Sequence, residues 1–327
     1  MTLRVGLLGS IDHIGLFADE AAQREDVDFI GIAEPDADKG AALARKYGTQ
    51  HFSSAEDLLE EKLDAVGVFT PFAQKAEDIT ACLERGLHVL ADKPAATNNE
   101  GLERLTVAVK AHPELTFTVG LTLRVTPEYV RLRELVKDGA IGELVYVTAR
   151  RAYRMRRETR PDFMFDSSLS GGIWVELAVH DVDYVRWLAG ADYLSVSATH
   201  GNASSPEEPF QDHGCGLFRL VGGVTALIEH NRLVPNVGAS ADNRFSAVGT
   251  EGVLDMGPGG GLYLWNGSTE RTPVTDLPER ASMLANFVDA IREAAPLIVP
   301  PADVLRATEV VLAAFASSEE EGKQQPL

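Results

Sequence analysis

Val5-Gly6-Leu7-Leu8-Gly9-Ser10-Ile11-Asp12-His13-Ile14-Gly15 begins as a short apolar run and breaks on a glycine. A hydrophobic strand that feeds a glycine turn and then a helix is the opening unit of a dinucleotide-binding α/β fold. There one glycine permits the tight turn, a second lets the backbone approach a pyrophosphate, and a third lets the helix pack on the strand. Gly9 suits the first role, but Ile11 and Ile14 stand where the other two belong. Alone, the stretch fits a cofactor site and an ordinary strand-turn-helix connection equally well.

The surrounding pattern favours the α/β fold. Apolar, strand-like runs at 3–8, 27–33, 65–69, 87–91 and 115–119 alternate with amphipathic stretches at 14–24, 37–47, 73–85 and 98–111. Nearly continuous apolar strands separated by helices imply a parallel sheet covered on both faces, a doubly wound Rossmann-type domain. Past residue 122 the rhythm changes. Helices at 126–138 and 172–189 flank a strand at 144–152, and strands at 193–200, 213–220, 224–231 and 244–249 then follow one another with hairpin signals between them. Strands in succession indicate an antiparallel open sheet. The expected architecture is a Rossmann-type dinucleotide-binding domain over 1–122 and an α+β domain over 123–327, with C-terminal helices at 281–294 and 302–316 and a frayed tail from 317. A chain of 327 residues has the length for two domains.

Composition narrows the class. The formal net charge of −19 opposes binding to nucleic acid or to an anionic membrane. No apolar run approaches 18 residues, so no membrane span is expected, and the N-terminus enters a strand without a secretion-type leader. Cys82 and Cys215 show no metal-like spacing; they read as buried thiols of a cytoplasmic protein, and no metal site is expected.

Three segments bear on the cofactor. In Phe29-Ile30-Gly31-Ile32-Ala33-Glu34, the acid closes the second strand, where a carboxylate bonds a ribose 2′-hydroxyl and repels a 2′-phosphate. No arginine follows it, so NAD is expected in preference to NADP. The alternative is that Glu34 only caps the helix from Asp36. Thr70-Pro71 and Asp92-Lys93-Pro94 sit at the carboxyl ends of the next two strands, the edge at which open α/β sheets bind ligands. With these motifs in place the chain resembles the glucose–fructose oxidoreductase / inositol dehydrogenase / MocA family, which carries Thr-Pro at the first position and Glu-Lys-Pro at the second. The resemblance implies a cofactor site built from Gly9, Ser10, Ile11, Asp12, Glu34, Thr70, Pro71, Asp92 and Lys93.

The chemistry of the second domain lies in Gly171-Gly172-Ile173-Trp174-Val175-Glu176-Leu177-Ala178-Val179-His180-Asp181-Val182-Asp183. On one continuous α-helix, positions 176, 180 and 183 share a face. A histidine in a helix is often structural, but here carboxylates flank it and glycines precede the helix. The resemblance places His180 at the catalytic histidine, Glu176 at a position usually held by aspartate, and Asp183 at the following aspartate. Histidine suits removal of a hydroxyl proton near neutral pH. Lys93 suits stabilisation of the developing alkoxide, and Glu176 is expected to orient the imidazole.

Between residues 150 and 160 stand six arginines: Arg150, Arg151, Arg154, Arg156, Arg157 and Arg160. They read either as a solvated strand edge paired with carboxylates or as a substrate loop that clamps a carboxylate or hydroxyls. Tyr153, Arg157 and Asp183 are substrate-contact candidates. Arg124 is another, with an interdomain salt bridge as its alternative role.

The expected activity is NAD-dependent hydride transfer to or from a secondary alcohol of a sugar, polyol, inositol or sugar acid. Two alternatives stand beside it: a relative that uses tightly bound NAD transiently, as a hydrolase or epimerase, and a non-catalytic ligand-sensing homologue, which Ile11 would favour. Lys75, where the family often has histidine, and Glu176, one methylene longer than aspartate, are further departures. The resemblance also implies a homodimer or homotetramer closed over the open face of the second sheet.

Overall fold

The computed structural model describes residues 2–11 and 13–327. Asp12, expected at the cofactor turn, lies outside the described residues. The chain divides into two units: Met1–Leu121 with Ala281–Leu305, and Thr122–Arg280 with Arg306–Leu327. The first crossing falls one residue from the expected boundary. The return of 281–305 to the first unit was not expected, because an amphipathic helix does not disclose which sheet it covers. Helix Met283–Glu293 buries Met283, Leu284, Phe287 and Val288. It is tied to the first unit by a hydrogen bond from Ser282 to Glu20 and by Arg292 against Asp26 at 2.7 Å.

The first unit holds a parallel six-stranded sheet of β1 (Leu3–Leu8), β2 (Val27–Ala33), β3 (Gln50–Phe52), β4 (Ala65–Val68), β5 (His88–Ala91) and β6 (Phe117–Val119), in the order β3-β2-β1-β4-β5-β6. All of β4 and β6 is buried, as a sheet covered on both faces requires. The order reverses between β1 and β4, so the turns that leave these strands open a crevice at their carboxyl ends. Strand β3 escaped the sequence reading because it is a three-residue edge strand with no periodicity to detect. Helix Ala37–Tyr47 starts where Asp36 accepts a hydrogen bond from the Lys39 amide at 3.0 Å.

The second unit holds a nine-stranded sheet: β7 (Leu144–Ala152), β8 (Tyr193–Gly201), β9 (His213–Leu220), β10 (Thr225–Asn231), β11 (Arg244–Gly249), β12 (Gly252–Met256), β13 (Leu262–Asn266), β14 (Thr269–Val274) and β15 (Gln325–Pro326). Its order is β14-β13-β12-β11-β7-β10-β9-β8-β15, and only β7 and β10 pair in parallel. Strand β9 alternates exposed and buried residues without exception, so one face of the sheet is core and the other open. Trp174, fully buried, lies against the core face beside Phe218 and His230, with ring centroids 6.1 and 5.7 Å away. Its indole donates to Ser318 Oγ at 2.9 Å. Truncating such a side chain costs about 3–5 kcal/mol, so the segment that follows Trp174 is firmly anchored.

Three expectations need correction. The tail is not frayed: helix Pro301–Glu319 runs past residue 317, and β15 pairs with β8 through Gln325 and Pro326. Cys215 is exposed rather than buried, because it falls on the outward positions of β9. The helix expected over 172–189 is not one α-helix. Trp174–Ala178 is π-helical and the α-helix proper runs over Val179–Ala189, so the α-helical spacing that aligned Glu176 with His180 does not apply across the junction. Such π turns occur mostly at functional sites.

Candidate active site

Each unit brings together part of the expected site. In the first, Gly9 has φ +73°, and a Cβ there would lie 2.7 Å from the Phe69 carbonyl oxygen. Only glycine fits this turn, which leaves a backbone cradle at the carboxyl end of β1. The Ile11 amide, expected to help hold a pyrophosphate, instead donates to the Phe69 carbonyl at 2.8 Å. That donor is used by the fold itself.

Glu34 ends β2 beside this turn and is 8% exposed. Its carboxylate accepts from the Ser10 hydroxyl and from the Asp36 amide at 3.2 Å, and Lys39 Nζ stands 3.3 Å away. The cap of helix Ala37–Tyr47 is Asp36, so Glu34 is not the helix cap. Lys39, which also reaches the Ser10 carbonyl at 3.4 Å, is a cation beside Glu34 that a search for arginine overlooks. Its position one turn into the helix after an acid-ended strand was the available signal.

Thr70 and Pro71 follow β4, and Pro71 leads into helix Phe72–Glu84. At the end of β5, Asp92 is fully buried and Lys93 is 3% exposed, with a cis peptide bond from Lys93 to Pro94. Burial alone would raise the Asp92 pKa. His13, 3.4 Å from its Oδ2, together with Lys75 and Lys93, holds it below the ordinary carboxylate value. Lys75 is also fully buried and donates to the Lys93 carbonyl at 3.0 Å. Both ammonium groups lie over the Phe72 ring, 4.7 and 5.1 Å from its centroid. The residue that departs from the family pattern is therefore in contact with the catalytic candidate. A glycine-only cradle, a ribose-distance acid and a buried lysine at the ligand edge form a donor set that fits a nicotinamide dinucleotide.

In the second unit, Gly172 admits the chain to the π turn: a Cβ there would lie 2.4 Å from Gln211 Oε1. Glu176 is sandwiched by two guanidinium groups, its Oε1 accepting from both Arg160 and Arg232. His180 occupies the first turn of helix Val179–Ala189, half-buried. Arg124 and Asp183, both read as substrate contacts, face each other in a buried bidentate pair, with Nε to Oδ2 at 2.8 Å and Nη2 to Oδ1 at 2.5 Å. Both belong to the second unit, so this is not the salt bridge between domains considered from the sequence.

A second buried pair joins the same helix to β7. Arg151 donates to Asp181 at 2.8 and 2.9 Å, and His230 Nε2 stands 3.1 Å from Asp181 Oδ2. Burial would raise the Asp181 pKa, but Arg151 and His230 hold it far below the usual carboxylate range. Burial pushes His230 down, with Asp181 opposing. Arg151 Nη1 reaches the Tyr153 hydroxyl at 3.3 Å, which also accepts from Asn243 at 3.1 Å. Arg157 pairs with Glu208 and lies over the Phe165 ring. Thus the arginine run is neither a uniform solvated edge nor a free clamp. Asp181, His230 and Arg232 were missed; His230 is a polar residue on the buried side of an alternating strand, which was a legible signal.

A doubly wound sheet with a dinucleotide cradle, joined in one chain to a mainly antiparallel sheet whose buried His230 meets Asp181 of helix Val179–Ala189, defines a nucleotide-dependent oxidoreductase. Residues 3–121 match the oxidoreductase family with NAD-binding Rossmann fold, and residues 129–255 match the GFO/IDH/MocA C-terminal domain. The chain belongs to the glucose–fructose oxidoreductase / inositol dehydrogenase / MocA family. It is 27% identical over 305 residues to inositol 2-dehydrogenase of Corynebacterium glutamicum, covering 89% of this chain and 86% of that one. It is 29% identical over 280 residues to inositol 2-dehydrogenase of Leifsonia xyli, covering 83% and 79%. A solved structure described as an oxidoreductase from Thermotoga maritima superposes with a TM-score of 0.91 at 26% identity, covering 99% of this chain and 100% of that one. No helix among the described residues is long and apolar enough to cross a membrane.

Proposed function

We propose that the protein is an NAD-dependent dehydrogenase or reductase that interconverts a secondary alcohol and a ketone on a sugar, polyol, inositol or sugar acid. The observation that carries this reading is the glycine-only cradle at Gly9 with Glu34 at the end of the neighbouring strand. NAD would be held by the backbone around Gly9 and Ser10, by Glu34 at the ribose, and by Thr70, Pro71, Asp92 and Lys93 at the carboxyl ends of β4 and β5. When bound, it supplies the acceptor or donor for the hydride of the reacting carbon.

The chain's own residues move the proton and hold the charge. His180 Nε2 or Nδ1 accepts the hydroxyl proton as the alcohol is oxidised, and returns it in the reverse direction. The Lys93 ammonium, at the carboxyl end of β5, supplies a cation suited to stabilising developing alkoxide charge. Glu176 sets the electrostatics around the imidazole, and the Arg124–Asp183 pair fixes the helix that carries His180 rather than touching substrate. Preference for NAD over NADP rests on Glu34, with Lys39 offsetting part of its repulsion of a 2′-phosphate.

Leu217, Leu227 and Tyr146, 47, 41 and 44% exposed, lie on the open side of the second sheet, where a second copy of the chain would cover them in a dimer or tetramer. The free thiols at Cys82 and Cys215 suit a cytoplasmic location. The test is a screen of inositols, polyols, aldoses and sugar acids with NAD, followed by NADH absorbance, on the wild type and on Lys93→Met and His180→Asn. Turnover with at least one alcohol, reduced about 100-fold or more in each variant, supports the reading. Full turnover in either variant removes the role given to that residue, and product without net NADH points to a transiently used, tightly bound cofactor.

A further inference from the structure

A second lysine stands at the carboxyl end of β5, beside the one that the chemistry uses. Lys75, in the first turn of helix Phe72–Glu84, has no exposed surface, and its ammonium donates to the Lys93 carbonyl at 3.0 Å. Its nitrogen lies 4.7 Å from the centre of the Phe72 ring, and that of Lys93 lies 5.1 Å from the same centre. Fully buried Asp92 is the carboxylate on which both lysines act, with His13 Nδ1 3.4 Å from its Oδ2. Asp78, on the same helix as Lys75, also acts on its charge.

Taking an ammonium out of water is costly unless it is bonded and paired. An apolar side chain of similar length would fill the same place without that cost. What Lys75 adds over such a side chain is a hydrogen bond and a charge, and both fall on Lys93. The bond holds the Lys93 main chain where it leaves β5. With both nitrogens close to one ring centre, the two ammonium groups are at most about 10 Å apart, and at an effective dielectric constant of about 20 each weakens the proton affinity of the other by about tenfold.

We propose that Lys75 is a positioning residue for Lys93, holding its main chain through the carbonyl and setting a second fixed positive charge beside its ammonium. This rests on the dehydrogenase reading for what Lys93 does, and deepens it. A neighbouring cation makes the Lys93 ammonium a stronger acid and so a better donor to an oxygen on which negative charge develops. The same cation sets the alkaline limit above which Lys93 loses its proton and with it that stabilisation.

The experiment is a pH titration by carbon NMR of the full chain, free of cofactor, with lysine labelled at Cε and the Lys93 signal assigned by its loss in Lys93→Met. In Lys75→Met, and in Lys75→Gln, which keeps a donor without the charge, the Lys93 midpoint is expected to rise by about one pH unit. Lys75→Arg, which keeps the charge, is expected to hold it within about 0.3 unit of the wild type. Each variant is checked for folding by circular dichroism, and either neutral variant suffices if the other does not fold. A residue that only fills space would leave the midpoint in place, so an unchanged midpoint in a folded neutral variant overturns the proposal, as does an equal rise in Lys75→Arg. With an alcohol that the wild type turns over, the alkaline limb of kcat follows the same shift. Absence of NADH binding and of turnover overturns the dehydrogenase reading instead, and the titration, made without cofactor, still decides the role of Lys75.

Discussion

Removal of Arg151 is the most demanding test of how the second unit holds its site. Its guanidinium makes two hydrogen bonds of 2.8 and 2.9 Å to Asp181, whose side chain is 2% exposed. Arg151→Met leaves that carboxylate buried with the titratable His230, at 3.1 Å, as its nearest side-chain partner. Breaking a buried pair by deleting one partner costs about 3–5 kcal/mol. At about 2 kcal/mol per molar urea, the unfolding midpoint falls by about 1.5–2.5 M. Trp174, Trp187 and Trp265 all belong to the second unit, so tryptophan fluorescence follows this unit selectively.

The deficit also depends on pH in a direction the geometry dictates. In the wild type, burial and then the nearby Arg151 keep His230 below its ordinary value, against the pull of Asp181. Without Arg151, the Asp181 charge favours a protonated His230, which replaces the lost counter-ion. A raised folded-state pKa contributes stability that is fully present below the unfolded value of about 6.5 and is lost as pH rises above it. The gap between wild type and variant therefore narrows as pH falls from 8 to 6, by about 1.4 kcal/mol for each tenfold gain in the proton affinity of His230. Adding Asp181→Asn to the variant recovers most of the loss. A deficit under about 1 kcal/mol, or one that is constant from pH 8 to 6, refutes the reasoning.

Other outcomes follow from the same structure. Gly9→Ala puts a Cβ at a φ of +73° and 2.7 Å from the Phe69 carbonyl; strain of about 1–2 kcal/mol and a closed cradle should abolish NADH binding while the circular dichroism spectrum is kept, and unchanged affinity contradicts the cradle. His88, His200 and His230 all have pKa values lowered chiefly by burial. The unfolded chain therefore binds more protons near pH 6.5, so melting temperature should fall as pH drops from 7.5 to 5.5, and less steeply in His230→Gln; a flat profile contradicts this. Burial pushes the Cys82 thiol up to about 12, while Cys215 is exposed and its pKa is also raised, by partial burial and then by Glu229. A disulfide reagent at pH 8 should thus modify one thiol slowly in the native protein and the second only in denaturant.

Much of the fold was legible because its signals are local. The apolar runs at β1, β2, β4 and β5, the change of rhythm after residue 122 and the alternation in β9 each reflect burial on one or two sheet faces, which a single strand already records. Strand β3 and the hairpins β12 to β14 were missed: they are short, edge-proximal and only partly buried. The site was legible as a set of residue types, not as a set of contacts. Gly9, Glu34 and Lys93 announced themselves by position at strand ends. The bonding of Ile11 to Phe69, of Arg124 to Asp183 and of Glu176 to two arginines joins residues remote in sequence. The π turn at Trp174–Ala178 upset a helical register that assumed 3.6 residues per turn.

The most direct test of the central claim is calorimetric titration of the purified protein with NADH and NADPH, after removal of any copurified nucleotide, with Glu34→Gln beside the wild type. Micromolar NADH binding, weaker NADPH binding and a ratio that moves toward NADPH in the variant are the expected results. Folded, nucleotide-free protein that binds neither cofactor would contradict it.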